Sequence, residues 1–356
     1  MDSENYFQEM RKVSEIVNPI IYESIEPLKK TSKSLYDIVS ELPIKRIEEP
    51  SKTRAFVLRE AYNLTNGEEW EKIAPVCAAV EMELCSMYYE NRIYDDKGHI
   101  TEDKNKINNQ IMAARITRDL STRIIEDLKG KIPDKKLEQI LHLMNESDLI
   151  FESGEYLDVF ENVYPEMKDA SFEDMITSCN KRLYMINASY YEKIAIIGAI
   201  LGNGTKEQIK ALAEFGKNYG MLLQITNDIA DFTPAKHGLG TSEKIPEDAY
   251  SDIKHGKLTY PIIYALHYGT GEERARLVEI IKQGKKVDET ELIELTKILV
   301  NNGSIDFARK SARKHYNKAK QPLKIFDKEK RKYLSAMSIM GISNRYYKIL
   351  NQYREN

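Results

Sequence analysis

Two short runs of oxygen-bearing side chains set the first chemical question. In Gln224-Ile225-Thr226-Asn227-Asp228-Ile229-Ala230-Asp231, Asn227 and Asp231 are four positions apart. On a helix that spacing puts both side chains on one face, about 6 Å apart, with Gln224 a turn earlier. Glu90-Asn91-Arg92-Ile93-Tyr94-Asp95-Asp96 repeats the geometry through Asn91 and Asp95. Hard oxygen donors on adjacent turns suit Mg²⁺, which takes a few protein oxygens and keeps waters that a phosphate can replace. Taken singly, each run is equally an acidic patch on a solvated helix. Two of them on separate helices say more than either one.

Cations follow a similar logic. Lys257 stands after a glycine in Asp252-Ile253-Lys254-His255-Gly256-Lys257-Leu258-Thr259-Tyr260-Pro261, where it can meet a phosphate as a point charge. Pro50-Ser51-Lys52-Thr53-Arg54 sets two cations before a helix that starts near Ala55, a second plausible anion site.

Long helices must position these groups. Ile209, Leu212, Phe215, Tyr219, Leu222, Leu223 and Ile229 recur at spacings of three and four. Val80, Leu84, Met87, Asn91 and Asp95 share one face, so a stripe changes from apolar to oxygen-rich along its length. Gly216 and Gly220 leave room for a neighbouring helix or a ligand. Breaks fall at Glu49-Pro50-Ser51, Thr65-Asn66-Gly67, Ile132-Pro133-Asp134, Gly202-Asn203-Gly204 and between Thr233 and Pro246. The segments between them run about 15–30 residues, long for globular helices. No strand-like alternation or repeat is sustained. The expected fold is all-α: one domain over 1–356, with N-terminal helices over 1–48, a core from about 50 to 320 and basic helices over 321–356.

Bulk properties exclude several classes. Lys+Arg 53 against Asp+Glu 56 gives a net charge of -3 over 356 residues, so nucleic acid is not an expected partner. The longest apolar run, Ile194 to Leu201, is eight residues, less than half a membrane span. The polar, acidic start of the chain shows no signal pattern. A cytoplasmic protein that is not integral to a membrane is expected. Cys77, Cys85 and Cys179 lack ligand spacing and read as reduced, buried thiols. Gly202-Asn203-Gly204-Thr205 lacks the Gly-Lys of a phosphate loop and reads as a helix cap. The Lys- and Arg-rich stretch from Arg309 to Arg354 reads as a solvated helix face, or as a surface for an anion.

The order and spacing of Phe215-Gly216, Gly220, Gln224, Asn227-Asp228-Ile229-Ala230-Asp231-Phe232 and Gly256-Lys257-Leu258-Thr259-Tyr260-Pro261 resemble the all-trans isoprenyl diphosphate synthase (polyprenyl synthetase) family. They match its FGxxxGxxxQ helix, its second aspartate-rich motif and its GKxTxP segment. Val80-Glu81 followed by Asn91 to Asp95 is similar to the helix of the first motif, DDxxD, and Lys52-Thr53-Arg54 to the basic GGKRxRP segment. The resemblance runs from about Pro50 to Tyr316. It implies an isoprenoid synthase fold, long helices around a central apolar cavity, usually as a homodimer. It also implies Mg²⁺ held by Asn91, Asp95, Asn227, Asp228 and Asp231. An allylic prenyl diphosphate would bind there, and its carbocation would be attacked by isopentenyl diphosphate. Lys257, Arg54 and Gln224 would carry catalysis, and Lys52, Arg54, Ser86, Met87, Lys244 and Lys257 would contact substrate.

Several positions depart from the family pattern. The first motif holds an amide at Asn91 and an arginine at Arg92, and the second holds an amide at Asn227. Glu90 and Asp96 flank the first motif as compensating carboxylates. Ser51 stands at the lysine of the basic motif, Leu84 at a histidine, and Ile186-Asn187 near a Lys-Thr pair. The paired arginines after the first motif are reduced to Lys97-Gly98. Ser86 and Met87, five and four positions before Asn91, are not aromatic, which leaves room for a long product unless Tyr88 or Tyr89 forms the floor. Three readings stay open: a prenyltransferase, a terpene cyclase that needs no second diphosphate, and a non-catalytic subunit of a heteromeric synthase.

Overall fold

The computed structural model describes residues 3–49, 52–233, 250–341 and 348–354. Its helices are α1 (Ser3–Ile25), α2 (Leu28–Thr31), α3 (Lys33–Glu48), α4 (Thr53–Leu64), α5 (Ala74–Tyr94), α6 (Lys104–Glu126), α7 (Asp134–Tyr156), α8 (Tyr164–Met167), α9 (Phe172–Leu183), α10 (Ser189–Leu201), α11 (Lys206–Asp231), α12 (Ser251–Lys254), α13 (Tyr260–Tyr268), α14 (Gly271–Gln283), α15 (Glu289–Asn301), α16 (Ser304–Lys320) and α17 (Lys332–Gly341). Among the described residues there is no strand, only two isolated bridges, Lys129 with Ile132 and Val163 with Lys257. The architecture is all-α, as the periodicity predicts. Local chemistry sets the helix starts. The Thr205 hydroxyl accepts from the Gln208 N–H at 3.2 Å, and Gln208 accepts in return from the Thr205 N–H at 2.9 Å. The Gly202 to Thr205 turn is therefore a capping box for α11.

The chain divides into two compact units. One comprises Met1–Asp148, Tyr191–Gly216 and Gln321–Met337; the other Leu149–Tyr190, Lys217–Lys320 and Ser338–Asn356. In the first unit α5 is central. Every residue from Val76 to Met87 is buried, because α1, α3, α4 and α6 pack around it. Tyr89 shows how tightly this is built. Pro43 lies inside α3 and has no N–H for the Val39 carbonyl. The buried Tyr89 hydroxyl fills the gap. It lies 3.1 Å from the Val39 and Ile38 carbonyls and accepts from the Leu42 N–H at 2.9 Å. The expected alternative of Tyr89 as a product floor is thereby corrected, since its polar tip is committed to α3.

The second unit packs α13 against α9, α14 and α16. Phe307 of α16 stacks on Tyr264 at 4.9 Å and lies 5.8 Å from Phe172. Two π-helical turns, Leu157–Glu161 and Tyr184–Ala188, follow α7 and α9. Such turns carry an extra residue that re-aims the side chains around it. The glycines of the FGxxxG stretch serve helix approach. A Cβ at Gly216 would stand 2.3 Å from the Tyr191 carbonyl, and one at Gly220 2.5 Å from the Ala188 Cα.

Candidate functional site

In the second unit, α11 presents the second motif with uneven exposure. Asn227 is exposed, Gln224 half-buried, and Asp228 and Asp231 are buried. Asp228 accepts from Gln224 Nε2 at 3.2 Å through one oxygen and from Arg182 at 3.0 Å through the other. Arg182, 2% exposed, also donates to Asp158 at 2.6 Å. Lys257 pairs with the second oxygen of Asp158. The half-buried Gln224 thus leads into a buried chain of alternating partners, Asp228, Arg182, Asp158 and Lys257. Burial opposes the charge on Arg182, but Asp228 and Asp158 outweigh it and hold the guanidinium well above its ordinary range.

Local backbone structure fixes that chain. Asp158 stands on the first π turn. Just beyond it, the Asn162 amide donates to the Leu258 carbonyl at 2.9 Å, and the Leu258 N–H returns a bond to the Asn162 carbonyl at 3.0 Å. This clamp holds Lys257 in place against Asp158. At the end of α11, Asp231 accepts from the Asp252 N–H at 3.1 Å, and the Asp231 carbonyl accepts from the Tyr250 N–H at 2.9 Å. Asn187 donates to the Gly220 carbonyl at 2.8 Å, so its amide serves the backbone. Lys244 lies outside the described residues.

The first unit holds the other residues. Asn91, Arg92 and Asp95 at the end of α5 are all half-buried. Arg92 pairs with Glu41 at 2.8 Å, which gives its charge a partner on α3. Asp95 lies 3.4 Å from Lys97. Asp96, expected as a compensating ligand, instead accepts from the Thr101 N–H and hydroxyl at 2.8 and 2.7 Å and ties the turn after α5. Ser86, expected to contact substrate, is 2% exposed and donates to the Ala114 carbonyl of α6 at 2.9 Å. Met87 is buried on α5.

The basic segment is a structural joint. Lys52 was expected to meet a diphosphate, but it is fully buried and its ammonium donates to the Arg46 and Glu49 carbonyls at the end of α3. Burial pushes it down to about 8 despite the pull of Glu81. Glu81 accepts from Arg46 at 2.7 Å and from the Ala55 N–H at 3.0 Å, capping the start of α4. Burial alone would raise that carboxyl, yet Arg46 and the Ala55 N–H hold it below the usual range. Arg54 keeps a different posture, its guanidinium 5.0 Å from the Tyr191 ring centroid.

Arg182 and Asp158 were not singled out from sequence, although a signal existed. Met175, Cys179 and Arg182 share a buried stripe, and Phe151, Glu155 and Asp158 share another. A charge on such a stripe marks a buried partner.

A model of polyprenyl synthetase matches residues 101–299. That is more than half of the chain. The chain belongs to the polyprenyl synthetase family. It is 25% identical over 209 residues to the octaprenyl diphosphate synthase of Haemophilus influenzae, covering 58% of this chain and 59% of that protein. It is 28% identical over 286 residues to a short chain isoprenyl diphosphate synthase of Methanocaldococcus jannaschii, covering 78% and 81%. The first alignment thus spans less than two thirds of its relative. In fold, the chain is similar to a polyprenyl synthase from Caulobacter crescentus complexed with calcium and isoprenyl diphosphate, with a TM-score of 0.79, 16% identity and coverage of 96% and 98%. A geranylgeranyl pyrophosphate synthetase from Pyrococcus horikoshii gives 0.77, 21% identity and the same coverage.

The donors of this family member suit a hard cation. Asn91, Asp95, Asn227 and Asp231 all offer oxygen. Among the described residues no group of three or more His, Cys, Asp or Glu converges into a cage.

Proposed function

We propose that the chain is a Mg²⁺-dependent prenyltransferase that ionises an allylic prenyl diphosphate and passes the prenyl group to isopentenyl diphosphate, giving a longer polyprenyl diphosphate. The observation that carries this reading is the chain from Gln224 to Lys257 on and around the second motif. Such a network holds cations at fixed positions, as chemistry on an anion requires. Asn91 and Asp95 of the first unit, and Asn227 and Asp231 of the second, are the donors proposed for metal, whose chemistry is to stabilise charge developing on the departing diphosphate. Asp228 is reassigned from ligand to anchor, because both its oxygens already have protein partners. Lys257, fixed by Asp158, supplies a cation to the diphosphate. Arg54, held beside Tyr191, supplies one to the second diphosphate, and Gln224 orients Asp228. Met87, unbranched, lines the path of the growing chain. On the family likeness, the working form is a homodimer in the cytoplasm.

A second reading rests on Lys52. With that ammonium committed to α3, the basic segment keeps fewer cations for a second diphosphate, which suits a terpene cyclase. One experiment separates the two. Purified protein is incubated with Mg²⁺ and farnesyl or geranylgeranyl diphosphate, with and without isopentenyl diphosphate, and released diphosphate and extractable products are followed. The proposal expects longer prenyl diphosphates only when isopentenyl diphosphate is present. Hydrocarbon or alcohol without it would establish the cyclase, and silence in both arms a non-catalytic subunit. In the active case, Asp231→Asn should lower diphosphate release ~100-fold or more.

A further inference from the structure

Helix α16 carries six cations, Arg309, Lys310, Arg313, Lys314, Lys318 and Lys320, against one acid, Asp306. The acid is already matched, since Asp306 pairs with Arg354 at 2.8 Å. One face of the helix is seated in its unit through small residues, among them Ser304, Ala308, Ser311 and Ala312. Its other face is open. Lys310, Arg313, Lys314 and Lys318 are exposed, and none forms an ion pair with the described residues. Phe307, Lys310, Lys314 and Lys318 follow at spacings of three, four and four, a single stripe about 16 Å long.

The middle and one end of the stripe carry further features. Near its middle, His315 lies 3.0 Å from the Asn218 side-chain oxygen. Burial, with Lys318, Lys217 and Lys314 around it, pushes this histidine down to about 4. It therefore stays neutral at physiological pH, beside the cations Lys318, Lys217 and Lys314. At that one end, Tyr268 is 60% exposed and lies 4.8 Å from Tyr264, which stacks on Phe307. An exposed tyrosine beside a row of lysines has the composition of an interfacial contact, with an apolar ring and a polar tip at one level.

We propose that the exposed face of α16, with Tyr268 at its end, is a docking surface for an anionic lipid bilayer. The charges are strung along one helix face, which suits a flat anionic surface. The net charge of -3 for the chain disfavours nucleic acid, which draws on a general positive field. Each lysine or arginine near an anionic leaflet strengthens binding about fivefold.

Flotation of the full chain with phosphatidylcholine vesicles, with and without phosphatidylglycerol, tests this. Binding is expected only to the anionic vesicles, and it should be released in ~0.5 M salt. The variant Lys310→Glu, Lys314→Glu, Lys318→Glu should lose ~50-fold or more in affinity while keeping the native unfolding temperature. Tyr268→Ser should lose several-fold. A control, Lys324→Glu, Lys328→Glu, Lys330→Glu, makes the same change of net charge elsewhere and should bind nearly as the native protein does. Equal losses in both triple variants would overturn the assignment, because net charge would then explain the binding. So would equal binding to neutral vesicles, no binding to anionic ones, or displacement of the bound chain by duplex DNA or an acidic polypeptide at trace concentrations.

Discussion

The two motif regions are built on opposite plans. At the end of α5, each charged side chain has its own local partner: Arg92 has Glu41, Asp95 has Lys97, and Asp96 has Thr101. These groups are half-exposed or open. Around α11, Asp228, Arg182, Asp158 and Lys257 are buried, and each depends on the next. The family match begins at residue 101, past the first motif and the basic segment, and includes all of the second network. Charges in the second region share partners and so are needed by the fold together, whereas those in the first are paired separately. Substitution at the second region should therefore be felt as lost stability, and at the first mainly as altered ligand binding.

Arg182→Met gives the sharpest contrast. Removing the guanidinium leaves Asp158 and Asp228 buried without their shared partner, a loss of about 3–5 kcal/mol. Arg92→Met breaks a pair with an exposed Glu41 and should cost under about 1 kcal/mol. Urea unfolding of the two variants tests the difference. Adding Asp228→Asn to Arg182→Met should restore part of the loss, because one buried carboxylate that has lost its cation becomes neutral. Similar losses at Arg182 and Arg92 would break the comparison.

Within the first unit the rigid part of α5 should behave unlike its end. Tyr89→Phe removes a hydroxyl that serves the Val39 carbonyl and the Leu42 N–H around Pro43. Leaving those buried backbone groups unpaired should cost about 1–3 kcal/mol in urea unfolding. Tyr88→Phe, at an exposed neighbour, should change stability little. A neutral Tyr89→Phe would mean that α3 closes its own gap.

The helices and most of the second motif were legible because periodicity and glycine spacing are local properties. Gly216, Gly220 and the cap at Thr205 needed no more than that. Lys52 was misread for the opposite reason: a cation before a helix looks the same whether its ammonium meets a phosphate or the carbonyls of the preceding helix. Only the turn between α3 and α4 decides, and its geometry is set by Glu81 some 26 positions after Ala55. The Arg182 hub was hidden likewise, since its partners are 24 and 46 positions away. Its trace in the sequence is one arginine on an apolar stripe.

Asn91→Asp probes the first motif as a ligand. The amide offers a carbonyl oxygen without charge, so a carboxylate should tighten Mg²⁺ by about tenfold, close to 1.4 kcal/mol. The half-saturating Mg²⁺ for binding an allylic diphosphate analogue, followed by calorimetry, reads this directly. Unfolding free energy in the absence of metal should change little, since Asn91 is half-buried at a helix end. A large stability change with unaltered Mg²⁺ dependence would remove Asn91 from the ligand set.

The smallest expected effect is a gain. Glu83, buried on α5, faces Asp148 of α7, and Arg118 of α6 lies against the same Asp148. Burial first, then the Asp148 carboxylate, holds the Glu83 carboxyl well above its ordinary range, despite the pull of Arg118. The folded state therefore keeps a proton that the unfolded chain gives up near 4.5. The folded protein binds more protons than the unfolded one at neutral pH, so this site's contribution is complete below 4.5 and is lost as pH rises above it. Glu83→Gln keeps the shape and removes the titration. It should be more stable than the native protein by about 1 kcal/mol at pH 8, with the advantage shrinking toward pH 5. Urea midpoints at the two pH values decide it. A gain of equal size at both would mean that packing, not the proton, distinguishes the two side chains. A loss at pH 8 would mean that Glu83 is ionised in the fold and stabilised by Arg118, which would make this part of α5 a charge network of the same kind as the one around Arg182.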